Sequence, residues 1–271
     1  PILKMENINK RFPGVRALTD VNFSLFAQEI LALVGENGAG KSTLMKILGG
    51  IHQPDSGRIK HRGHSVKIAD VNSAIDLGIA LIHQELNVLN NLDVAANVFL
   101  GREHTILGKL KLIDRQKMYS QTEPYLQRLG LDIPMDTLVG DLSIGQKQMI
   151  EIAKALSLQA RILVMDEPTS SLTLKESERL FGVMDELKNQ GVSIIFISHR
   201  LDEVERCADR VTVLRDGMNA GTLDNHQIEH DEMVRLMVGR DVDEHFLYEH
   251  HINGEEVFKV EEISTKKYPE S

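Results

Sequence analysis

The chain has 271 residues, of which 42% are hydrophobic, and its 40 acidic and 31 basic residues give a formal net charge of −9. This composition is typical of a folded globular protein, and the length allows one domain or two. The acidic balance, without a dense Lys/Arg block, argues against binding to nucleic acid or to anionic membranes. No apolar run approaches the ~18 residues of a membrane span, and the one cysteine, Cys207, permits no internal disulfide and suits a reducing compartment.

The apolar pattern predicts two kinds of β-structure. Alternating apolar residues at 3–8 and 21–25, with a turn at 12–14 between them, predict two strands of a small antiparallel β layer. Short unbroken apolar runs predict strands buried on both faces, as in a parallel sheet covered by helices. Such runs occur at 30–34, 79–82, 162–165, 193–197 and 211–214, and helical patterns lie between them, for example at 175–189. The predicted fold class is α/β with a mainly parallel sheet.

Two regions depart from this pattern. Residues 92–158 carry mostly helical periodicity and no buried-strand run, which predicts an α-helical subdomain inserted into the core. After Gly239 the sequence becomes acidic and histidine-rich, which predicts a solvated linker at 241–256 rather than a metal site, since no carboxylate or cysteine spacing completes one. Residues 257–263 resemble residues 2–8, and this faint repeat predicts that a second copy of the domain begins at 257–271.

The glycine-rich segment 35–42, Gly-Glu-Asn-Gly-Ala-Gly-Lys-Ser, follows an apolar strand and opens a helical pattern. A strand, a glycine loop and a helix in that order form a P-loop, in which backbone N–H groups and the helix N-terminus face a phosphate chain. Lys41 would reach the β- and γ-phosphates, and the Ser42 hydroxyl would ligate Mg²⁺. The predicted nucleotide-binding residues of this segment are Gly35, Asn37, Gly38, Ala39, Gly40, Lys41, Ser42 and Thr43.

Two adjacent carboxylates follow the apolar run at 162–165. Asp166 is the predicted Mg²⁺ partner, and Glu167 is placed to orient and deprotonate the attacking water. The same Asp-Glu-Pro-Thr segment also suits the start of a helix, and the two interpretations are compatible. Upstream, Ser143 and Gln146 form an ordinary capping box, although a helix N-terminus that contains Gly145 is also able to bind an anion.

These motifs, together with Ser198-His199, occur in the order and spacing of ATP-binding cassette (ABC) nucleotide-binding domains, which the chain resembles over residues 1–240. The resemblance implies a transport-coupled ATP hydrolase that uses ATP and Mg²⁺. It implies that Phe12 stacks on adenine, that Gln84 contacts Mg²⁺ and the attacking water, and that His199 hydrogen-bonds the γ-phosphate. It also implies that Ser143, Gly145 and Gln146 belong to the family's signature segment, residues 142–146, which contacts the γ-phosphate of ATP held by an opposing cassette.

Segments 12–18, 142–146, 151–156 and 196–200 resemble the ATPases of bacterial monosaccharide importers of the ribose, galactose and xylose types, which carry two cassettes in one polypeptide. This chain resembles the first cassette. The implied partners are a second cassette, transmembrane permease subunits and, indirectly, a periplasmic or extracellular sugar-binding protein, at the cytoplasmic face of the membrane. Two positions depart from the family pattern: Ile144 replaces a glycine of the signature, and Thr173 replaces an aspartate that helps to couple the two sites.

Other classes fit less well. An ABC ATPase of DNA repair would have a long coiled coil between P-loop and signature, whereas only about 100 residues without sustained heptads intervene. A ribosome-acting tandem cassette protein would have a basic linker, and a non-hydrolytic regulator would lack Glu167 or His199. The closest alternative is the ATPase of a nucleoside or other small-solute importer, and a non-transport ABC ATPase ranks below it.

Overall fold

The computed structural model of the chain describes residues 1–83, 85–106 and 112–239. The predictions for Gln84, for the linker at 241–256 and for the second-cassette start at 257–271 therefore lie outside the described residues. Within the described ranges, no helix combines the length and the apolar character that crossing a bilayer requires.

The described residues form strands and helices with the following bounds in chain order. The strands are β1 (Leu3–Phe12), β2 (Val15–Leu25), β3 (Ile30–Val34), β4 (Ser56–His61), β5 (His64–Val66), β6 (Ile79–Ile82), β7 (Thr105–Ile106), β8 (Leu112–Ile113), β9 (Ile162–Asp166), β10 (Ser193–Ile197), β11 (Arg210–Arg215) and β12 (Met218–Asp224). The helices are α1 (Lys41–Leu48), α2 (Val71–Asp76), α3 (Val94–Val98), α4 (Arg115–Arg128), α5 (Ile144–Ser157), α6 (Leu174–Asn189), α7 (Leu201–Cys207) and α8 (His230–Val238).

A largely parallel sheet forms the centre of the structure, with the strand order β12-β11-β3-β10-β9-β6. All neighbouring pairs in it are parallel except β11 with β12, which are antiparallel. The five unbroken apolar runs of the sequence coincide with its parallel strands, and three of them match the strand bounds without adjustment. The prediction of an α/β fold with a mainly parallel sheet is confirmed.

Alternate residues of the central strands enter two hydrophobic clusters, one on each face of the sheet. Ile30, Ala32 and Val34 of β3 pack in one cluster, whereas Leu31 and Leu33 pack in the other. β9 and β10 divide their side chains in the same way. Burial on both faces explains why these strands are apolar throughout rather than alternating.

The predicted small antiparallel layer is also present. β1 pairs with β2 and with β4, and β5 completes a sheet of order β2-β1-β4-β5 among the described strands. Its apolar face shares a hydrophobic cluster with α1 and with one face of the parallel sheet. The turn from β1 to β2 uses Gly14, whose φ of +79° favours glycine.

Helices α3 to α6 cover the other face of the parallel sheet, where Phe181 of α6 packs edge-on against Phe196 of β10 with ring centroids 6.1 Å apart. The described part of 92–158 contains α3, α4 and α5, together with the short exposed pair β7–β8. The β7–β8 pair was not predicted, because a strand of two exposed residues has no periodicity to detect.

Candidate functional site

The P-loop directly follows β3, and its glycines adopt backbone conformations that other residues avoid. Gly38 has a φ of +87° and Gly40 a φ of +100°, and Gly40 is the N-cap of α1. A Cβ at Gly40 would lie 2.7 Å from the carbonyl oxygen of Ala17 in β2. The loop is tied to the β11–β12 turn as well, since the Gly217 N–H donates to the Ala39 carbonyl at 3.2 Å. The loop is thus fixed between both sheets.

Lys41 opens α1, and its side chain is buried against the loop. Its Nζ donates to the carbonyl oxygens of Gly35 at 2.7 Å and of Glu36 at 3.0 Å. Burial lowers the pKa of Lys41, while the carboxylates of Glu167 and Asp166 oppose this shift. The ammonium group therefore lies close enough to both predicted carboxylates to interact with them.

An open depression of about 500 Å³ brings together most of the predicted P-loop residues, Phe12 and the two carboxylates, whereas Gly35 is not part of its lining. Its lining consists of Phe12, Val15, Ala17, residues 37–43, Asp166 and Glu167. Phe12 reaches it from the end of β1, where its ring stands edge-on to His52 with centroids 5.3 Å apart. Val15 and Ala17 of β2 were not predicted to line the site, and their nearness to Phe12 in the sequence was the available signal.

Asp166 ends β9 and Glu167 follows it. Burial raises the pKa of Asp166, and the adjacent Glu167 carboxylate raises it further, whereas a hydrogen bond with the Ser42 hydroxyl opposes the shift. Glu167 has a φ of +49°, an uncommon conformation for a glutamate. Its N–H donates to the Ile197 carbonyl at the end of β10, at 2.9 Å. Because α6 begins only at Leu174, Asp166 and Glu167 do not cap it.

His199 lies beside Glu167, with 3.1 Å between His199 Nδ1 and Glu167 Oε1. The ring is half exposed, whereas the Glu167 side chain is mostly buried. The two residues follow the neighbouring parallel strands β10 and β9, whose carboxyl ends meet at the same edge of the sheet. The structure thus brings together the predicted base, Glu167, and His199, the residue predicted to hydrogen-bond the γ-phosphate.

The signature residues lie apart from this depression in the described structure. Ser143 is the N-cap of α5 and forms the predicted capping box with Gln146, with distances of 3.2 Å and 2.9 Å for the two hydrogen bonds. The anion at this helix N-terminus is a carboxylate of the same chain: Glu176 Oε1 accepts from Ser143 Oγ at 3.1 Å and from the Gly145 N–H at 3.2 Å. Glu176 was not predicted.

Thr173, one of the two departures from the family pattern, is the N-cap of α6. Its hydroxyl and N–H both contact the Glu176 carboxylate in a second capping box. The other departure, Ile144, is about half exposed at the start of α5. Cys207 is buried, and burial raises the pKa of its thiol to about 12, as expected for a packing residue.

Comparison with known proteins agrees with this geometry. Residues 18–170 match the family model described as ABC transporter. The chain is 46% identical over 272 residues to the ribose import ATP-binding protein RbsA of Clostridium perfringens, covering 98% of this chain and 53% of that protein. It is 51% identical over 245 residues to a putative ribose/galactose/methyl galactoside import ATP-binding protein of Agrobacterium fabrum, covering 90% and 48%. The chain thus spans about half the length of the curated relatives it matches.

The fold has solved counterparts. A crystal structure of the ADP conformation of MJ1267, an ATP-binding cassette of an ABC transporter, superposes with a TM-score of 0.77 at 26% identity, covering 88% of this chain and 99% of that one. The structure of cbiO1 from Clostridium perfringens, part of an ABC transporter complex, gives a TM-score of 0.73 at 26% identity, covering 86% and 92%. With its family match, its relatives and its fold in agreement, the chain belongs to the ABC transporter family.

Proposed function

We propose that this chain is the first nucleotide-binding cassette of an ATPase that binds and hydrolyses ATP to power the import of a monosaccharide. The observation that carries the proposal is the single depression that joins the P-loop, Phe12 and the Asp166-Glu167 pair, with His199 at hydrogen-bonding distance from Glu167. The names of the relatives, which are import ATP-binding proteins for ribose and galactose, support the choice of solute class.

The residues at the depression fit a bound Mg²⁺. The Ser42 hydroxyl lies close enough to the Asp166 carboxylate to oppose the rise of its pKa, and both groups offer oxygen ligands of the kind that Mg²⁺ prefers alongside phosphate oxygens. A buried carboxyl group with a raised pKa beside a second carboxylate is a site where a cation is favourable. We infer that Ser42 and Asp166 hold the ion, which would neutralise charge on the phosphates; the further ligand inferred from the family pattern is Gln84.

The other residues would act on ATP directly. Phe12 offers a ring face for the adenine, and the backbone N–H groups of 38–41 surround the phosphate chain. Glu167 accepts the proton of the water that attacks the γ-phosphorus, and the bond to the ADP oxygen breaks. His199 donates a hydrogen bond to the γ-phosphate. Since this chemistry consists mainly of positioning and charge stabilisation, a site that lacks part of its donors is slow.

The donors Ser143 Oγ and Gly145 N–H lie outside the depression, which supports a site shared between two cassettes. In the proposed complex, each ATP is held by the P-loop of one cassette and by the signature of the other. ATP binding closes the pair and hydrolysis reopens it, and this movement is transmitted to permease subunits in the membrane. A sugar-binding protein outside the membrane would be coupled only through those subunits.

The test is Mg²⁺-ATP hydrolysis by this chain over a wide range of protein concentration. We expect the activity per molecule to rise with concentration, because two copies complete each other's sites. Glu167→Gln is the control: it should bind ATP and hydrolyse it at least 100-fold more slowly, since the general base contributes about 10²–10⁴-fold. Undiminished turnover by Glu167→Gln would refute the assignment of the base, and activity independent of concentration in monomeric protein would refute the shared site.

The solute class needs a cellular test. In a strain that lacks the full-length gene, growth on low concentrations of one monosaccharide should fail and should be restored by the wild-type gene but not by its Glu167→Gln form. Normal growth on ribose, galactose, xylose and arabinose, with impaired uptake of a nucleoside, would favour the alternative importer.

A further inference from the structure

A second buried carboxylate, outside the residues proposed to act on ATP, joins the loops that carry Glu167 and His199. Glu203 lies on α7, and only 5% of its side chain is exposed. Its Oε2 accepts from Thr169 Oγ1 at 2.6 Å and from Ser198 Oγ at 3.2 Å. Its Oε1 lies 2.6 Å from Arg200 Nη1.

Two partners of Glu203 lie within two residues of Glu167 or His199 in the sequence. Thr169 stands two residues after Glu167 in the loop that follows β9, and Ser198 stands directly before His199 in the loop that follows β10. Both hydroxyl-bearing residues are almost fully buried. One carboxylate oxygen therefore connects the two loops, in addition to the backbone hydrogen bond from the Glu167 N–H to the Ile197 carbonyl.

Burying the Glu203 carboxylate costs free energy. A buried carboxylate loses its hydration and is retained only where hydrogen bonds and charge partners compensate for it. Here the two hydroxyl donors provide that compensation at Oε2, and the Arg200 guanidinium provides it at Oε1 through its charge, without the geometry of a hydrogen bond. Glu167 itself has a positive φ, and residues in such conformations persist where the surroundings hold them.

We propose that Glu203 is a positioning residue for hydrolysis, which fixes the loops after β9 and β10 so that Glu167 and His199 keep their 3.1 Å separation. It does not touch ATP and acts through the pair that does. The proposal rests on the proposed function, because it assigns Glu203 a role in the reaction of that site. Reacting groups that move by about 1 Å lose on the order of 100-fold in rate, so the effect should fall on turnover rather than on nucleotide binding.

The test compares Glu203→Gln with Glu205→Gln, which removes a charge from an exposed position of the same helix. We expect Glu203→Gln to lower kcat about 10- to 100-fold while the Kd for ATP changes less than threefold, and Glu205→Gln to change neither. In the Glu167→Gln background, Glu203→Gln should cause little further loss, because it acts through Glu167. A kcat within twofold of wild type, or a full independent loss in the double variant, would overturn the proposal.

Substitution of a hydrogen-bond partner of Glu203 provides a second test, which does not depend on whether the Glu203 variant folds. Thr169→Val should lower kcat with little change in ATP affinity, and Thr169→Ser, which keeps the hydroxyl, should restore most of it. Full activity of Thr169→Val would contradict a role for the hydrogen bond from Thr169 to Glu203. The NMR ring signals of His199, assigned with His199→Ala, should shift in Glu203→Gln without ATP and stay in place in Glu205→Gln. Ring signals that do not move would overturn the positioning role, whether or not the chain hydrolyses ATP. Absence of ATP hydrolysis, by itself, would contradict only the proposed function.

Discussion

Gly35 and Gly38 belong to the same loop and both have positive φ, yet the space around them differs. A Cβ at Gly35 would overlap the carbonyl oxygen of Leu214 in β11, which is backbone and unable to rotate away. A Cβ at Gly38 would have no heavy atom within 4 Å and would project into open space. Gly35 is thus required by the fold, whereas Gly38 faces open space at the proposed phosphate site.

This contrast predicts separate effects of two alanine substitutions. Gly35→Ala should lower the free energy of unfolding by about 3 kcal/mol, because the sheet has to shift to admit the methyl group. Gly38→Ala should cost only about 1 kcal/mol, the strain of a left-handed alanine, but should weaken ATP binding at least tenfold. Urea unfolding and calorimetric titration with ATP measure the two effects. Equal stability of the two variants would contradict the packing described at Gly35.

At the scale of elements, Glu176 connects the N-termini of two helices. One carboxylate oxygen completes the capping box of α6 with Thr173, and the other accepts hydrogen bonds from Ser143 and Gly145 at the start of α5. These hydrogen bonds lower the pKa of Glu176, and those from Thr173 have the largest effect. A negative charge at two helix N-termini is favourable for both helix dipoles.

We expect Glu176→Ala to lower the free energy of unfolding by about 1 kcal/mol, the usual cost of a lost helix cap. Glu176→Gln keeps the capping box and should cost about half as much. Thermal unfolding of both variants beside Glu186→Gln, which changes an exposed acid of the same helix, provides the comparison. A Glu176→Ala variant as stable as the wild type would show that the carboxylate does not join the helices in solution.

Sequence reasoning succeeded for strands that are almost entirely buried and failed for strands whose residues are mostly exposed or half-buried. The strands at 30–34, 79–82 and 193–197 were predicted with their bounds, because both faces are covered and the apolar run is unbroken. β4 and β12 were missed, since most of their residues are exposed or half-buried and their composition resembles that of loops.

The candidate site also contains residues that the sequence predicted and residues that it did not. The P-loop and the Asp166-Glu167 pair are local motifs, so residue types and spacing were sufficient to predict them. Glu203 and Glu176 were not predicted, because their partners lie up to 34 and 33 residues away and an acid within a helix resembles a solvated side chain. Only the folded chain shows that these two carboxylates are held by hydroxyl groups.

At the scale of the whole molecule, the position of β3 determines when this strand unfolds relative to the rest of the structure. β3 lies between β11 and β10, its five residues are fully buried, and the P-loop is its direct continuation. Amide protons in such a strand exchange with solvent only when most of the structure unfolds, whereas β12 at the sheet edge exchanges through smaller openings. Hydrogen–deuterium exchange should therefore find peptides of β3 and β10 the slowest and those of β12 and α8 faster, and a fast β3 would contradict this order. The loop proposed to hold phosphate is thus anchored in the part of the chain that opens last.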